Sequence, residues 1–536
     1  MFGDSGVSIT LKITMLKKEA MESVSAKSDG KEEVMPLAAA AAVADAQVAA
    51  FKQSVKDAAE AFSQIDKSET IRVVSHLDAD GLSSAAIIVK TLLRENRRYC
   101  LSILPQLSEE SAVQLAAESY NYYLFTDLGT GQFSIIKKQL ASSGKRIFVL
   151  DHHHMQEEFE AENIVHVNPH LCGIKSSREI SGAGVSYLFS RALNHRNTDL
   201  AHLALIGAIG DMQEDRGFST LNKEILADAK KAGALKVITG LRLFGVQTKP
   251  LHKVLEQSSE FPIPDVTGSE SAAIQFLQQI GINPKDGSGS WRKLTDLNDS
   301  ELVKLATAVV LQRIGQESPE AIIGPVYILK YETDGSPLRD AREFATLLNA
   351  CGRLGKASVG IGACLGDQKC KEEALRQLDE YKHQIANSMS WYDKTLKQQK
   401  VVRTDGQKIT GNIILEKGFV IINAEDNVMP TMIGTLASIV SKSNDFEAGT
   451  LILSMARAED NFTKISLRLA GEKAFKGEFN LMEILTAIAP KVGGQAGGHH
   501  EAAGAIIKTD KEEEFIALAR QQLSLSLRRT EEKVTI

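Results

Sequence analysis

Three side chains able to bind a metal ion or move a proton, His76, Asp78 and Asp80, stand just behind the β-branched run Ile71–Val74 and ahead of Gly81. Two carboxylates held that close repel each other unless a cation or a shared proton lies between them. A single turn with an aspartate cap would be unremarkable, but the pattern recurs. Thr126-Asp127-Leu128-Gly129 follows the apolar Tyr122–Phe125, and Asp151-His152-His153-His154 follows Ile147–Leu150. Asn168-Pro169-His170 follows Ile164–Val167, and the small-residue segment His202–Gly210 ends at Asp211. Asp78, Asp80, Asp127, His152 and Asp211 are hard oxygen donors with one imidazole and no thiolate, a set that suits Mn²⁺ or Mg²⁺. Two such ions about 3.5–4 Å apart, bridged by one carboxylate, can clamp a phosphoryl group and activate a water against it. The triple His152-His153-His154 on its own reads equally as a solvated loop, yet its place straight behind an apolar strand ties it to the carboxylates.

Two more clusters lie near the C-terminus. In Gly497-Gly498-His499-His500-Glu501-Ala502-Ala503-Gly504 the glycines permit close backbone approach to a ligand. A helix starting after them would aim N–H groups at an anion, and His499 could hydrogen-bond a phosphate; a glycine run alone is equally a plain turn. In Ser466-Leu467-Arg468, with Arg457 on the preceding strand, a guanidinium can grip phosphate bidentately, although a lone arginine is more often a surface charge.

Residue types this far apart in sequence need a sheet to bring them together. Strands are expected at Ile71–Ser75, Tyr99–Leu104, Tyr122–Thr126, Ile147–Leu150 and Ile164–Val167, with a helix over Leu82–Leu93; strand and helix alternate as a parallel sheet requires. Carboxylates at the C-terminal ends of such strands project into the crevice where open α/β sheets bind ligands. The expected division is an N-terminal extension, 1–66 (disordered to about residue 34, helical from Pro36 to Ile65), and a parallel-sheet domain, 67–240. A helical insertion, 241–330, and a remainder with a long helix, 331–400, follow; a smaller α/β domain, 401–536, closes the chain. Within these, Val326–Tyr331 reads as a strand, Leu338–Leu354 and Lys369–Gln399 as helices. The last domain reads as strands Gly411–Leu415, Phe419–Asn423, Thr450–Ala456 and Thr463–Leu469, closed by a terminal helix, Glu512–Leu527.

At 536 residues, 43% hydrophobic and 24% charged, the chain is long enough for several buried cores. A net charge of −6 makes it no polycation, so any nucleic-acid binding must come from a local basic groove or from metal ions. Five cysteines without a CxxC pair suit reduced thiols, and no apolar run reaches the length of a membrane span. The expected location is cytoplasmic, with no membrane partner.

Taken in order, His76-Leu77-Asp78-Ala79-Asp80-Gly81, Thr126-Asp127-Leu128-Gly129, Asp151-His152-His153, Ser181-Gly182-Ala183-Gly184 and Gly210-Asp211 resemble the motifs of the DHH phosphoesterase superfamily, in its archaeal RecJ-like branch. Gly497–Gly504 resembles the signature of the DHH-associated domain, with Ser466 and Arg468 similar to its upstream arginine motif. The resemblance covers about residues 67–240 and 400–525. It implies an α/β, parallel-sheet DHH domain with a helical insertion, joined by a long helix to a smaller α/β DHH-associated domain. It further implies a metal-dependent exonuclease on single-stranded nucleic acid, DNA before RNA, working in replication or repair with two Mn²⁺ or Mg²⁺ ions. Asp78 would then bind the first ion, Asp80, His152 and Asp211 the second, and Asp127 both. His153 and Asp151 would be catalytic, with His153 facing the scissile phosphate, and His499, Arg468, Gly497, Gly498 and His500 would hold substrate from the second domain. Many members carry a histidine four residues before the first motif aspartate; here that position is Val74, and His76 is the candidate to take over its role. The rival implications are a phosphodiesterase for nanoRNA or cyclic dinucleotides, and a non-catalytic replisome scaffold. The partner implied in replication is a GINS-like component, with the insertion as its expected docking surface.

Overall fold

Apolar runs rich in Val, Ile, Tyr and Phe need cover on both sides, and here they receive it. The computed structural model describes residues 37–155, 161–215, 217–316, 318–402, 412–443, 445–471 and 479–534; the disorder expected before residue 34 lies outside the described residues. A helix, α1 (Leu37–Ser63), comes first. From Ala50 onward it belongs to one compact unit with the rest of the chain to Ile536. Five strands follow: β1 (Thr70–His76), β2 (Arg98–Leu104), β3 (Tyr122–Thr126), β4 (Arg146–Leu150) and β5 (Ile164–Val167). All are parallel, in the order β2-β1-β3-β4-β5. The chain leaves β1 to one side for β2 and returns on the other for β3, so the C-terminal ends of β1 and β3 flank the switch point of the sheet.

Helix α2 (Ala79–Arg94) connects β1 to β2, α3 (Glu109–Ala117) connects β2 to β3, and α4 (Phe133–Gln139) connects β3 to β4. One face of the sheet packs Val74, Tyr123, Phe125, Ile147 and Val149 against Leu115 and Ile136 of α3 and α4. On the other face Phe62 of α1 meets Phe148 and Phe189 edge-on, with ring centroids 5.3 and 5.5 Å apart. Phe189 belongs to α5 (Gly182–Leu193), which is followed by α6 (Ala201–Gly210) and α7 (Thr220–Lys231). Both faces are covered, which is why these strands read as continuous apolar runs rather than alternating ones.

Two strands, β6 (Leu235–Leu241) and β7 (Ile323–Leu329), pair antiparallel as an isolated ribbon. Between them α8 (Leu251–Glu256), α9 (Glu270–Gln279) and α10 (Asp299–Gln312) enclose a core of their own, including Leu251, Val254, Phe276, Leu305 and Val309. The sequence reading placed a strand only at Val326–Tyr331. β6 escaped it because its partner lies more than eighty residues away, and β7 starts early because Pro325 is tolerated in a ribbon whose edges are open.

Helices α11 (Ala341–Arg353), α12 (Ala357–Cys364) and the long α13 (Gln368–Val402) lead on. The second sheet holds β8 (Ile413–Glu416), β9 (Phe419–Asn423), β10 (Leu451–Ala458), β11 (Phe462–Leu469), β12 (Gln495–His499) and β13 (Ala502–Lys508), in the order β12-β13-β11-β10-β9-β8. Only β9 and β10 run parallel within it. The helices α14 (Ile433–Lys442), α15 (Leu481–Thr486) and α16 (Glu512–Val534) complete this part. One expectation is corrected here: no helix starts behind the glycine run. The run is a β-hairpin, because Ala503, Ala505 and Ile507 alternate into the core and Gly498, at φ 124°, makes the left-handed turn that pairing with Ala503 requires. Among the described residues no helix is long and apolar enough to cross a membrane.

Candidate metal centre

Each chemistry-bearing residue sits where a strand or helix of the first sheet ends. His76 is the last residue of β1, and Asp78 caps α2 by accepting the Gly81 N–H at 3.0 Å. Asp80, in the first turn of α2, reaches the N-terminus of α5 and accepts the N–H groups of Gly182 at 2.6 Å and Ala183 at 2.9 Å. That explains the Ser181–Gly184 motif: a helix start bare of bulky side chains is where a carboxylate can settle. Asp127 follows β3 directly, in the left-handed region at φ 54°. A Cβ at Gly182 would lie 2.6 Å from the Asp127 side chain, so only glycine admits this approach. Asp151, His152 and His153 follow β4, and Asp211 caps the C-terminus of α6.

The side chains converge as three overlapping donor groups: His76, Asp78 and Asp127; Asp80, His152 and Asp211; and Asp127, Asp151, His152 and His153. His76 Nδ1 lies 3.0 Å from Asp78 Oδ2 and 3.6 Å from Asp127 Oδ2. His152 Nε2 lies 3.7, 3.4 and 3.3 Å from carboxylate oxygens of Asp80, Asp127 and Asp211. Asp151 works differently. It is fully buried and accepts the N–H groups of Thr130 at 2.9 Å and His152 at 2.7 Å, while its Oδ1 lies 2.8 Å from His153 Nδ1. Its carboxylate is thus spent on fixing the His153 ring. Val74, where many family members have histidine, is buried in β1, and His76 occupies the position beside Asp78 and Asp127 instead.

The electrostatics call for a cation. Among the described residues none of these five carboxylates pairs with lysine or arginine. Burial, then repulsion from Asp127 and Asp78, pushes Asp80 well above the ordinary carboxylate range; burial, then Asp80 and Asp78, does the same to Asp211. Burial disfavours charge on His76, but Asp78 and Asp127 outweigh it and raise its pKa well above the usual value. Burial likewise opposes charge on His153, whose pKa Asp151 nonetheless raises to about 9. Asp127 Oδ1 is buried and receives no hydrogen bond. It faces the His152 imidazole nitrogen at 3.4 Å without donor geometry, an arrangement that would suit two ligands of one shared cation.

Helix α11 joins this loop to the second domain. Asn349 accepts the Ala79 N–H at 3.0 Å, and the backbone at Gly352 passes so close to the Leu77 carbonyl that no Cβ fits. The next residue, Arg353, hydrogen-bonds the hydroxyls of Tyr381, at 2.8 Å, and Thr435 of α14. Arg468 of β11 donates to Ser438 of the same helix at 3.1 Å and to the Leu467 carbonyl at 2.8 Å. Lys464, on the same face of β11, is lowered to about 8 by burial and then by Arg353; Arg468 is lowered to about 10 by the same two causes. Among the described residues none of the three cations meets a carboxylate. Sequence reasoning singled out Arg468 but missed Arg353, Lys464 and Asn349. The one legible signal was the period of two in Lys464, Ser466 and Arg468. Arg457 is corrected: it pairs with Glu512 at 3.1 Å and Asp426 at 3.4 Å, fastening β10 to the start of α16. His500 is exposed, Gly497 has open space above its Cα, and the His499 side chain lies outside the described residues.

Residues 70–208 match the model of the DHH family, N-terminal domain; 243–325 match the DHH-CID domain and 417–525 the DHHA1 domain. The "Uncharacterized protein MJ0831" of Methanocaldococcus jannaschii is 31% identical over 464 residues, 86% of this chain and 94% of that one. The chain belongs to the DHH family. The single-stranded-DNA-specific exonuclease RecJ of Bacillus subtilis is a more distant relative of this DHH protein, 27% identical over 35% of this chain and 25% of its own length. Among solved structures, an exonuclease RecJ bound to manganese superposes with a TM-score of 0.50 at 18% identity, over 88% of this chain and 94% of that one. CDC45 from Entamoeba histolytica superposes with a TM-score of 0.56 at 11% identity, over 88% and 97%. At such identities both structures speak for the fold.

Proposed function

We propose that this DHH protein is a divalent-metal-dependent phosphodiesterase that digests single-stranded nucleic acid from an end. One observation carries the reading: the donor groups His76–Asp78–Asp127 and Asp80–His152–Asp211 stand side by side, with His152 Nε2 3.4 Å from the buried Asp127 Oδ1, which receives no hydrogen bond. Two Mn²⁺ or Mg²⁺ ions held there would supply Lewis-acid and water-activating chemistry for phosphodiester hydrolysis. His76, Asp78 and Asp127 would hold one, Asp80, His152 and Asp211 the other together with Asp127. Asp151 holds His153 cationic, the form that offsets charge developing on a phosphoryl oxygen. Arg468, Arg353 and Lys464, linked to the Asp78 loop through α11, supply an uncompensated positive surface for the backbone phosphates, with Gly497, Gly498, His499 and His500 on the adjoining hairpin. The single-stranded-DNA-specific exonuclease of Bacillus subtilis and the manganese of the solved RecJ support the same choice of substrate and ion. The CDC45 likeness is one of fold, and the complete ligand set speaks against a purely structural role.

Partner binding is assigned to the insertion, for a replisome component of the GINS-like kind. It holds none of the site residues, and Val303 and Leu311 on α10, with Ile314 just beyond, are 68%, 59% and 69% exposed. The decisive experiment is digestion of single-stranded DNA and RNA labelled at each end, with Mn²⁺, Mg²⁺ or EDTA. Stepwise loss from one end, absent in EDTA, is expected. Cleavage confined to dinucleotides would select the small-substrate reading, and no cleavage under any condition the scaffold.

A further inference from the structure

The carboxylates of the centre are not fixed alike. Asp78, Asp80 and Asp151 accept backbone N–H groups, whereas Asp211 receives no hydrogen bond among the described residues. Its place is set by the turn in which it sits. That turn closes α6 with Met212 N–H on the Ile209 carbonyl and Gln213 N–H on the Ala208 carbonyl. Met212 is left-handed at φ 57° and 64% exposed, so no packing of its side chain repays a conformation that glycine usually supplies. A strained cap persists where the surroundings over-determine it.

Those surroundings are named residues. Glu214, 4% exposed, receives Arg342 Nε at 2.9 Å and pairs with Arg342 Nη2 at 2.8 Å. Arg342 sits in the first turn of α11, its N–H bonded to the Asp340 cap at 2.8 Å. The same guanidinium reaches Glu260 of the insertion, at 3.2 Å from Nη1 and 3.4 Å from Nη2. A parallel strap lies beside it: Arg242 meets Asp215 at 3.4 Å and stacks on Phe261 with 5.0 Å to the ring centroid. The segment that carries Asp211 therefore ends in two acids, each held by an arginine that also touches the insertion.

We propose that Arg342 is a positioning residue for Asp211, and that the chain Glu260–Arg342–Glu214 couples the insertion to the metal centre. This rests on Asp211 being a metal ligand. A buried carboxylate that loses its cationic partner must move, ionise less or draw in water, and Glu214 stands three residues from Asp211 on the same turn. Glu260 is the second anchor of the guanidinium, so whatever displaces it, such as a protein seated on the insertion, loosens Arg342 against Glu214.

Calorimetric titration of the metal-free full-length protein with Mn²⁺ tests this without recourse to turnover. Asp211→Asn is the control and should lower both affinity and the number of ions bound. Arg342→Gln should weaken binding about tenfold, the usual scale for a residue that orients a ligand, and Arg342→Lys, which keeps one bond to Glu214, should recover part of it. Glu260→Gln, on a side chain 44% exposed and safe for folding, should weaken binding two- to threefold with an unchanged melting temperature before metal is added. Parent-like Mn²⁺ affinity in both Arg342→Gln and Glu260→Gln, beside a weakened Asp211→Asn, would overturn the proposal. If Arg342→Gln does not fold, Glu260→Gln alone decides it. Parent-like binding by Asp211→Asn would instead remove Asp211 from the ligands and the proposal with it.

Discussion

Asp127 concentrates the unusual features of the site in one residue: a left-handed backbone, a buried unsatisfied oxygen and membership of two donor groups. Asp127→Ala should abolish cleavage and lower bound Mn²⁺ more than Asp78→Ala does. Metal-free stability should hold or rise, because a repelling cluster has been thinned; metal counting beside thermal melts checks both. Glu343, away from the centre, gives a test of a different kind. Its carboxyl, ordinarily near 4.5, is raised to about 7 by burial and then by Asp340. The unfolded chain ionises first, so stability falls as pH climbs from about 4.5 to 7 and stays lower above, by about 3 kcal/mol at most. Glu343→Gln keeps an acceptor for Gln247 N–H and turns an amide N–H toward Thr248, whose hydroxyl oxygen can accept it. It should therefore melt above the parent at pH 8, and the advantage should vanish near pH 4. At this scale the sequence showed the carboxylates and histidines, since strand ends announce them. It hid Arg353 and Asn349, because a polar residue on a helix is ordinary until the partner of that helix is known.

Elements were more legible than their partnerships. Tyr122–Thr126, Ile164–Val167 and Phe419–Asn423 begin and end where their apolar runs do. The ribbon of β6 and β7 and the glycine hairpin were missed, since pairing across a long insertion leaves no local trace and glycine has low strand propensity. The hairpin lies directly beside the basic cluster, β13 pairing with β11, which sharpens what Arg468 and Arg353 should do. Alanine at either should cost roughly 2–4 kcal/mol of transition-state stabilisation, the scale for a charge-assisted contact at the reacting group. Bound metal should be unchanged, so kcat/KM beside metal content separates them from the ligands. Replacing residues 243–322 by a short turn between β6 and β7 should leave a folded protein. Its ends are already paired, Leu241 with Ile323, and its core is its own. Hydrolysis of a short oligonucleotide should survive at a reduced level set by the lost Glu260 contact; complete loss in a folded variant would place the insertion in the active centre.

For the molecule as a whole, the cluster of carboxylates from Asp78 to Asp211 is a store of unfavourable charge that bound cations would relieve. Mn²⁺ at a hundred times its dissociation constant should stabilise the protein by about 2.7 kcal/mol for each independent site. EDTA should remove that increment, and Asp127→Ala should show little of it. Equal stabilisation of parent and variant would mean that the ions bind elsewhere. The division into two sheets could be read from the sequence because each run of strands carries its own turns and caps. How α11 spans from the Asp78 loop to α14 could not, since neither contact leaves a periodic mark.

The strand order β2-β1-β3-β4-β5 also fixes when the centre can exist. Its donors are gathered from His76 to Asp211 by parallel pairings, each of which closes a long loop before any contact rewards it. During refolding the carboxylates meet only once the sheet is nearly complete, too late for Mn²⁺ to assist the climb to the barrier. Mn²⁺ should therefore leave the refolding rate almost untouched and slow unfolding by the full factor of its stabilisation. A cell that withholds manganese would leave this protein able to fold, yet quick to come apart.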